Sequence, residues 1–222
     1  KTSVPPSHGM MQRSESVARP LRRTEQLDLE QAVDRVLATA IIADCDVPPF
    51  NRAAMDGYAV VAESTFGATR VEPRQLTCVE TVHTGGIPSA RLEPGQCTQI
   101  ATGAPMPAGG DAVVMVEETD RAGDQVAVFT PVYPRQHVGR QGADITRGTE
   151  LLHPGDHLTP GRVGSLAALG FAQVEVFAKP RVALLSTGNE IVSPGQPLKA
   201  GQIYDINRYT LGSVIRQHGG VP

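Results

Sequence analysis

Short apolar segments separated by glycine and proline dominate residues 57–130. The segments have the length of β-strands, and the punctuation between them, such as Gly85-Gly86 and Gly109-Gly110, is typical of turns. The predicted strands are Tyr58–Val61, Gln75–Val82, Gln96–Ala101, Asp111–Glu117 and Gln125–Thr130. The pattern predicts a compact antiparallel unit over this part of the chain.

Apolar positions before this region repeat at helical spacing. Asp28 can cap a helix, with Gln31 three residues later, and the prolines at 48 and 49 force an extended turn beyond its end. The apolar face would consist of Leu29, Val33, Val36, Leu37 and Ala40. Residues 1–20 are polar, contain proline and show no sustained period, so we expect a mobile arm there.

A second helix is predicted after the β-rich region. Thr159 is its cap, Pro160 occupies its first position and Gly170 ends it. Its apolar residues are Val163, Leu166, Ala167 and Leu169. A strand at Val174–Phe177 follows. The segments on both sides of the β-rich unit therefore have mixed character.

A new pattern begins at Lys179-Pro180. The near-continuous apolar run Arg181–Ser186 is typical of a strand buried on both faces, and Asn207–His218 has the pattern of a helix. Ligands of parallel α/β folds gather at the carboxyl ends of strands, which is where Glu190 would lie. Only one such strand precedes the last residue, Pro222, so we expect a truncated α/β domain.

Composition narrows the class of protein. With 23 glycines, 18 prolines and 4% aromatic residues, many short elements are favoured over a helical bundle. A net charge of −3 and a pI of about 6.1 argue against a nucleic-acid partner. The three cysteines lack CxxC spacing, which indicates reduced thiols in a cytoplasmic protein. No apolar run approaches the ~20 residues of a membrane span.

Two glycine turns carry the candidate chemistry. Asp56-Gly57 and Thr102-Gly103 each set a small polar residue beside glycine next to an apolar strand, an arrangement that can present N–H groups and a side-chain oxygen to a polar ligand. Taken singly, each is equally compatible with an ordinary hairpin turn. His153 and His157 are four residues apart, but the intervening Pro-Gly excludes a helical zinc pair and indicates loop residues.

Five motifs in order resemble those of the molybdopterin molybdenumtransferases, whose eukaryotic relatives include the enzymatic region of gephyrin. They read PPFNRAAMDGYAV, TGAPMPAGGDAVVMVEE, GADI, LLSTGNEI and GQIYDINR. The resemblance implies a multidomain α+β protein. Residues 1–46 and 143–178 would form a mixed helical domain, 47–142 an inserted β-rich domain, and 179–222 the first β-α unit of a truncated α/β molybdopterin-binding domain.

The resemblance also implies an activity. Enzymes of this family insert molybdate into adenylated molybdopterin, releasing AMP and the molybdenum cofactor with the assistance of Mg²⁺. It further implies a homodimer whose cleft lies between subunits, and it permits contacts with other proteins of molybdenum cofactor biosynthesis. Neither a nucleic acid nor a membrane is an expected partner.

By motif match, the polar cleft residues would be Asp56, Thr102, Asp144 and Glu190. Asp56 and Glu190 are the expected metal ligands, because a hard cation prefers carboxylate oxygens. Thr102 and the Gly103 backbone would contact an oxyanion. The remaining expected cofactor-binding residues are Gly57, Arg140, Thr187 and Gly188.

Several of these acidic residues have simpler alternatives. Asp56 and Asp144 could each merely cap a turn, and Glu117-Glu118 with Asp111 fit solvated positions at a strand end. Asp205 is expected to fix the turn before the helix at Asn207 rather than to touch substrate.

The sequence departs from the family pattern at several positions. Gly139 stands where family members commonly have the first of two residues before the Gly-x-Asp motif, an arginine. Arg140, Arg135 or Arg147 would have to supply its positive charge. Asn189 replaces a frequent Asp and removes one negative charge from the neighbourhood of Glu190. The usual N-terminal helix looks short or broken at 14–23.

Three hypotheses about function follow. The first is a molybdenum-insertion enzyme, the second a non-catalytic scaffold of the same family for dimerisation or partner docking, and the third a generic α/β nucleotide binder. The four polar cleft residues favour the first, and the absence of GxGxxG and of a Walker lysine near Thr187-Gly188 counts against the third. Because later family motifs do not occur before Pro222, we expect this chain alone to be inactive.

Overall fold

The structure is a computed structural model that describes residues 21–222. These residues divide into two compact units, one spanning Ile42–Leu151 and the other combining the residues up to Ile41 with Leu152–Pro222. We call the first the inserted unit and the second the flanking unit. The expected mobile arm over 1–20, and most of the expected short helix at 14–23, lie outside the described residues.

Strands predominate over helices in the described chain. The strands are β1 (Thr24–Asp28), β2 (Ile41–Ile42), β3 (Arg52–Ala53), β4 (Gly57–Val60), β5 (Arg74–Val82), β6 (Gln96–Ile100), β7 (Ala112–Met115), β8 (Thr119–Ala122), β9 (Gln125–Val128), β10 (Val138–Gly139), β11 (Glu150–Leu152), β12 (Gln173–Phe177), β13 (Ile191–Val192) and β14 (Ile203–Tyr204). The helices are α1 (Pro160–Ala168) and α2 (Asn207–Gln217), and short 3₁₀ turns lie at Leu29–Gln31, Ala62–Thr65 and Val116–Glu118.

A six-stranded sheet in the order β7-β4-β6-β5-β9-β8 forms the inserted unit. It contains all five predicted strands, with ends that lie within two residues of the prediction. The expectation of purely antiparallel pairing is wrong at one place, because β5 and β6 run parallel. Parallel neighbours need a crossover of about a dozen residues or more, and residues 83–95 supply it.

Both faces of this sheet are buried. Tyr58 and Val60 of β4 pack into one apolar cluster, whereas Ala59 packs into another on the opposite face. In β5 the register shifts between Cys78 and Glu80, so that Cys78 belongs to the first cluster and Val82 to the second. A β-bulge inserts one residue and so reverses which face later side chains meet. The bulge thus lets one strand contribute to both cores.

The helix predicted from Asp28 onward is wrong. Residues 24–28 form β1, which pairs antiparallel with β12, and only one 3₁₀ turn follows. The Asp28 carboxylate accepts a hydrogen bond from Gln173 Nε2 at 2.7 Å instead of capping a helix. Asp34 adopts a left-handed φ of 63°, and the N–H of Leu37 donates to Asp156 O at 2.9 Å. Tertiary pairing has displaced the local helical preference.

The second predicted helix is confirmed as α1. Thr159 Oγ1 accepts from Arg162 N at 3.4 Å, Pro160 occupies the first turn, and Gly170 has a φ of 81° just past the end. Proline fits here because the first N–H groups of a helix have no intrahelical partner. The strand predicted at 174–177 is confirmed as β12.

The last segment fulfils only part of its prediction. The helix at Asn207 is confirmed as α2, but Arg181–Ser186 forms no strand beyond one isolated bridge between Arg181 and Val221. Val182 N donates to Val221 O at 2.9 Å, but among the described residues no strand pairs with residues 183–186, and Leu185 is 89% exposed. A strand without a partner leaves its N–H and C=O groups to water.

Within residues 21–222 the fold is therefore mostly β, with two helices. The mixed helical domain expected over 1–46 and 143–178 is not confirmed, since α1 is the single α-helix that the described part of those segments contains. The expected domain boundaries stay a prediction. None of the helices in the described part is both long and apolar enough to cross a membrane.

Candidate functional site

Asp56 and Thr102, which are 46 positions apart in sequence, meet in the inserted unit. Asp56 lies at the residue before β4, and Thr102 lies two residues after β6, which is the hydrogen-bonded neighbour of β4. Asp56 Oδ1 accepts from Thr102 N at 2.7 Å and from Thr102 Oγ1 at 2.9 Å. The sheet register thus brings two of the predicted site residues into direct contact.

These hydrogen bonds fix the charge of the pair. The backbone N–H of Thr102, followed by its hydroxyl, stabilises the ionised carboxylate and holds the pKa of Asp56 below its usual range. Both side chains are exposed. The pair therefore presents a carboxylate that is already ionised near neutral pH to whatever enters from solvent.

The same contacts determine which donors remain for a ligand. Both donors of Thr102 go to Asp56, and the N–H of Gly103 donates to Ala53 O at 2.8 Å. Gly103 has a φ of 83°, which suits glycine in this turn. The expectation that Thr102 and Gly103 offer N–H groups to an oxyanion is therefore not supported by the hydrogen bonds of this structure.

A cavity of about 160 Å³ opens beside Asp56. Its walls come from the ends of β5 and β6, namely Thr81, Val82, His83, Gln99, Ile100 and Ala101, together with Asp56, Gly57 and Val116. Sequence reasoning missed His83 because the His-Thr-Gly-Gly stretch served only as turn punctuation. No local signal marks it, because His83 is brought beside Asp56 by the parallel pairing of β5 with β6, which the sequence pattern did not predict.

The connection after β5 is tied down at both ends. Thr84 Oγ1 donates to Thr102 O at 3.1 Å. At the far end, the Glu80 carboxylate accepts from Ser89 N at 3.0 Å, from Ser89 Oγ at 2.7 Å and from Ala90 N at 3.1 Å. The N–H of Ser89, as the largest cause, lowers the pKa of Glu80. The loop beside the cavity is thereby held by a carboxylate that remains charged.

Gly57 is explained by packing. A Cβ at this position would lie 1.9 Å from Val114 O on the neighbouring strand β7. The close spacing of β4 and β7 therefore requires glycine at this position, whether or not a ligand binds nearby. Its expected role in cofactor binding stays a prediction.

Asp144 and Arg140 lie elsewhere in the inserted unit. The N–H of Asp144 donates to Val47 O at 2.9 Å, and its exposed carboxylate has no hydrogen-bond partner among residues 21–222. Arg140 lines a different cavity. Within the described residues, no hydrogen bond joins either of them to the Asp56–Thr102 pair.

Glu190, Thr187 and Gly188 belong to the flanking unit. Gly188 has a φ of 131°, and the Glu190 carboxylate lies so close to it that a Cβ at residue 188 would clash with the carboxylate oxygens. Thr187 lines a cavity of about 230 Å³. Asp205 Oδ1 accepts from Arg208 N at 3.0 Å, which confirms that it fixes the turn before α2. The Ser186 hydroxyl, followed by the N–H of Arg208, lowers the pKa of Asp205.

A metal centre built from protein ligands alone is not present in the described part. No group of three or more His, Cys, Asp or Glu side chains there could hold an ion. His153 and His157 lie outside the helices, as expected, and His157 Nε2 is 3.6 Å from Asp34 Oδ1. Mg²⁺ usually binds through one or two carboxylates together with substrate phosphates, and a lone exposed carboxylate such as Asp56 fits that mode only.

All three cysteines are unpaired, at Cys45, Cys78 and Cys97. Cys78 and Cys97 are register partners on β5 and β6, and both are buried. Burial, followed by the neighbouring Cys78, raises the pKa of Cys97 to about 12. Thiols in this state are poor nucleophiles, so none is assigned to the site.

The geometry defines a class of protein: a two-unit chain whose inserted sheet carries an ionised carboxylate locked to a threonine at the rim of a small cavity. Comparison with known proteins identifies the family. Residues 8–170 match the model described as the MoeA N-terminal region, domains I and II, and the chain belongs to this family.

Named relatives extend the match to residues beyond 170. A molybdopterin molybdenumtransferase 2 of Mycobacterium tuberculosis is 42% identical over 191 residues, covering 86% of this chain and 47% of the relative. A molybdopterin molybdenumtransferase of Nostoc sp. is 40% identical over 199 residues, covering 90% and 46%. The chain thus spans about half the length of the curated relatives it matches.

A solved structure agrees with the fold. The crystal structure of a molybdopterin biosynthesis MoeA protein from Pyrococcus horikosii superposes with a TM-score of 0.87 at 39% identity. The match covers 99% of this chain and 56% of that one. The family predicted from the five motifs is therefore confirmed.

Proposed function

We propose that this chain is part of an enzyme of molybdenum cofactor biosynthesis that transfers molybdenum to molybdopterin. Support comes from the family match and from relatives that are named molybdopterin molybdenumtransferases. Those names are names of enzymes, and they do not favour the non-catalytic scaffold. The generic nucleotide-binding hypothesis has no further support.

The observation that carries the proposal is the Asp56–Thr102 pair. A scaffold has no need of an exposed carboxylate that two donors hold ionised at the rim of a cavity. Carboxylates held ionised in such a way are characteristic of sites that bind a cation or a metal-bound substrate. Thr102, in this proposal, orients Asp56 rather than touching the substrate itself.

The finer reaction is insertion of molybdate into adenylated molybdopterin with release of AMP. Mg²⁺ would be held by Asp56 together with substrate phosphates and would neutralise their charge. Glu190, in the flanking unit, is the second proposed carboxylate, with Asp144 as a further polar contributor. We also propose that the complete protein works as a homodimer, as the motif resemblance implies.

Complementation tests the proposal. The complete reading frame that contains this sequence is expected to restore molybdenum cofactor to a bacterium lacking its transferase. Asp56→Asn should lower the restored activity by roughly a hundredfold, because it removes the charge while preserving the shape and the hydrogen bonds. Cofactor content is measured through a molybdenum-dependent reductase.

Asp120→Asn is the matched control, because Asp120 is exposed on β8 and lies outside the cavity. It should leave activity unchanged. An Asp56→Asn protein that is folded and fully active would refute the assigned role. Size-exclusion chromatography with light scattering on the complete protein tests the homodimer, and a monomer would refute it.

A further inference from the structure

A second cavity in the inserted unit has no role in the proposed reaction so far. It measures about 220 Å³ and is lined chiefly by Asn51, Met106, Gly110, Asp111, Arg135 and Arg140. Of these six residues, the motif resemblance gave a role in binding to Arg140 and, as a substitute for the cation absent at Gly139, to Arg135; it gave none to the other four. Two of these six residues carry guanidinium groups.

The cavity is built by the glycine-rich half of the second motif. Met106 N donates to Asn51 O at 2.9 Å, and Ala53 N donates to Ala104 O at 2.9 Å. Residues 51–53 are therefore hydrogen-bonded to the segment that follows Thr102. Gly109, with a φ of 86°, has its Cα against Leu92 O and leaves no room for a side chain. The chain thereby turns back toward Asp111 and closes the wall.

Both guanidinium groups are available to a ligand. Neither Arg135 nor Arg140 makes an ion pair or a side-chain hydrogen bond with any residue of the described chain, and both are exposed. Arg135 has a φ of 70°, a conformation that is unfavourable for a residue with a Cβ. Its N–H donates to Asp111 O at 2.7 Å, which holds the backbone in that state beside the cavity.

Two other groups shape the chemistry. Asn51 Oδ1 accepts from Gln141 N at 2.9 Å, which leaves the Asn51 side-chain NH₂ as a donor without a partner in the described part of the chain. Asp111 Oδ1 accepts from Ala62 N at 2.7 Å. The lining therefore carries two positive charges and one negative charge, together with one neutral donor.

The neighbouring candidates for a cationic position do not contribute. Gly139 pairs with Arg52 across β10 and β3, and a Cβ there would lie 3.3 Å from Arg52 Cγ. Arg147 is not part of this lining, and its N–H donates to Asp46 Oδ1 at 2.8 Å. Of the three arginines that could replace a cation at Gly139, two converge on one cavity.

We infer that Arg135 and Arg140 form a binding site for a tetrahedral oxyanion, with the Asn51 amide as an additional donor. Planar guanidinium forks match the oxygens of phosphate and molybdate equally well, so the shared chemistry is a small oxyanion of either kind. The identification of this anion with a substrate of the transfer reaction rests on the proposed function. The binding of an oxyanion at this site does not rest on it.

Titrations of the full chain with sodium phosphate and with sodium molybdate, each at constant ionic strength in chloride, test the site. Binding is followed by amide shifts in ¹⁵N–¹H spectra, which should localise to Gly110, Arg135 and Arg140. Arg135→Ala and Arg140→Ala should each weaken binding about tenfold, since a hydrogen bond to a charged group is lost. Asp111→Asn should tighten binding about threefold, because a nearby like charge is removed.

Arg91→Ala is the matched control, since Arg91 is an exposed arginine of the same unit that does not line the cavity. It should leave the affinity unchanged. Saturation by phosphate alone assigns the site to a phosphate-bearing substrate, and saturation by molybdate alone assigns it to the inorganic one. Absence of saturable binding, or equal binding by both arginine variants and the original chain, overturns the inference. Because no turnover is measured, the result is independent of the complementation test.

Discussion

At the scale of single residues, the Asp56–Thr102 contact changes the meaning of two motifs. Each motif on its own is compatible with a hairpin turn. Together they place one carboxylate oxygen of the exposed Asp56 under two donors and leave the other oxygen without a hydrogen-bond partner in the described chain. The threonine therefore sets the charge and orientation of the aspartate, and the aspartate is the group that faces a ligand.

The pKa of Asp56 tests this division of roles. Thr102→Val removes the hydroxyl donor but keeps the backbone N–H, which is the larger cause of the lowered pKa. We expect the pKa of Asp56 to rise part of the way toward the ordinary aspartate value of 3.8. The measurement is a carboxyl ¹³C titration. Thr102→Ser should preserve the original pKa, and an unchanged pKa in the valine variant would contradict the assignment.

Cys97 gives a prediction about reactivity. Its pKa is raised to about 12, and its side chain is 0% exposed between two strands. Alkylation by iodoacetamide at neutral pH should therefore be slow until the inserted unit unfolds, whereas half-exposed Cys45 should react first. Mass spectrometry of timed samples locates the label. Equal rates at both cysteines in the folded protein would contradict the buried position of Cys97.

The sequence allowed Asp56 and Thr102 to be predicted as polar groups of one cleft, but not the direction of their hydrogen bonds. Asp56-Gly57 and Thr102-Gly103 are visible as turns because glycine tolerates such backbone geometry. Whether Thr102 donates to a ligand or to Asp56 depends on the register of β4 and β6, which joins residues far apart in the chain. No local pattern contains that information.

At the scale of elements, β4 and β7 pack so closely at Gly57 that no side chain fits there. Gly57→Ala would place a Cβ 1.9 Å from a backbone oxygen, so the strands must separate. We expect a loss of at least roughly 1–3 kcal/mol of unfolding free energy, the usual range for overpacking. Urea denaturation followed by circular dichroism measures it.

Gly164→Ala is the matched control for this change. Gly164 lies inside α1 with open space around it, and alanine there should stabilise the helix by about 0.5–1 kcal/mol. Opposite signs for the two glycine substitutions are the expected result. A Gly57→Ala protein as stable as the original would show that β4 and β7 are not packed as described.

The elements that sequence reasoning predicted correctly are those whose partners are apolar cores or local caps. The five strands alternate or run apolar between glycine turns, and α1 carries its cap and its proline within a few residues. The helix expected after Asp28 is wrong because Asp34, Leu37 and Ala38 hydrogen-bond to residues between 156 and 175. The strand expected at 181–186 is wrong because, within the described chain, its backbone pairs only with Val221, through the Arg181 bridge and the N–H of Val182. Non-local pairing decided both outcomes.

At the scale of the whole molecule, carboxylates with lowered pKa values make stability depend on acid. The pKa values of Asp46, Asp56, Glu80, Asp156 and Asp205 are all lowered, chiefly by backbone N–H groups or hydroxyls. A lowered folded-state pKa contributes stability that is present above the unfolded-state value and is lost as pH falls through the folded-state value. Stability should therefore decline once pH falls below the ordinary pKa values of 3.8 for Asp and 4.5 for Glu.

Urea midpoints compared at pH ~5 and below pH ~3 check this expectation. Glu80→Gln should reduce the difference, because its carboxylate accepts hydrogen bonds from Ser89 and Ala90. Glu63→Gln is the control, since exposed Glu63 accepts no side-chain hydrogen bond within the described chain. Equal midpoints at both pH values would refute the prediction.

The two ends of the inserted unit are fastened to each other. Ala43 N donates to Thr149 O at 2.9 Å, Gly148 N donates to Ala43 O at 2.8 Å, and Val47 bridges Ile145 a little further in. Contacts inside the unit therefore offset the entropy of bringing its two ends together, and the chain leaves the unit close to where it enters. Proteins tolerate insertions at such places. Residues 43–149 should therefore be exchangeable as one segment. A chimera that carries the corresponding segment of a relative should keep the fold of the flanking unit.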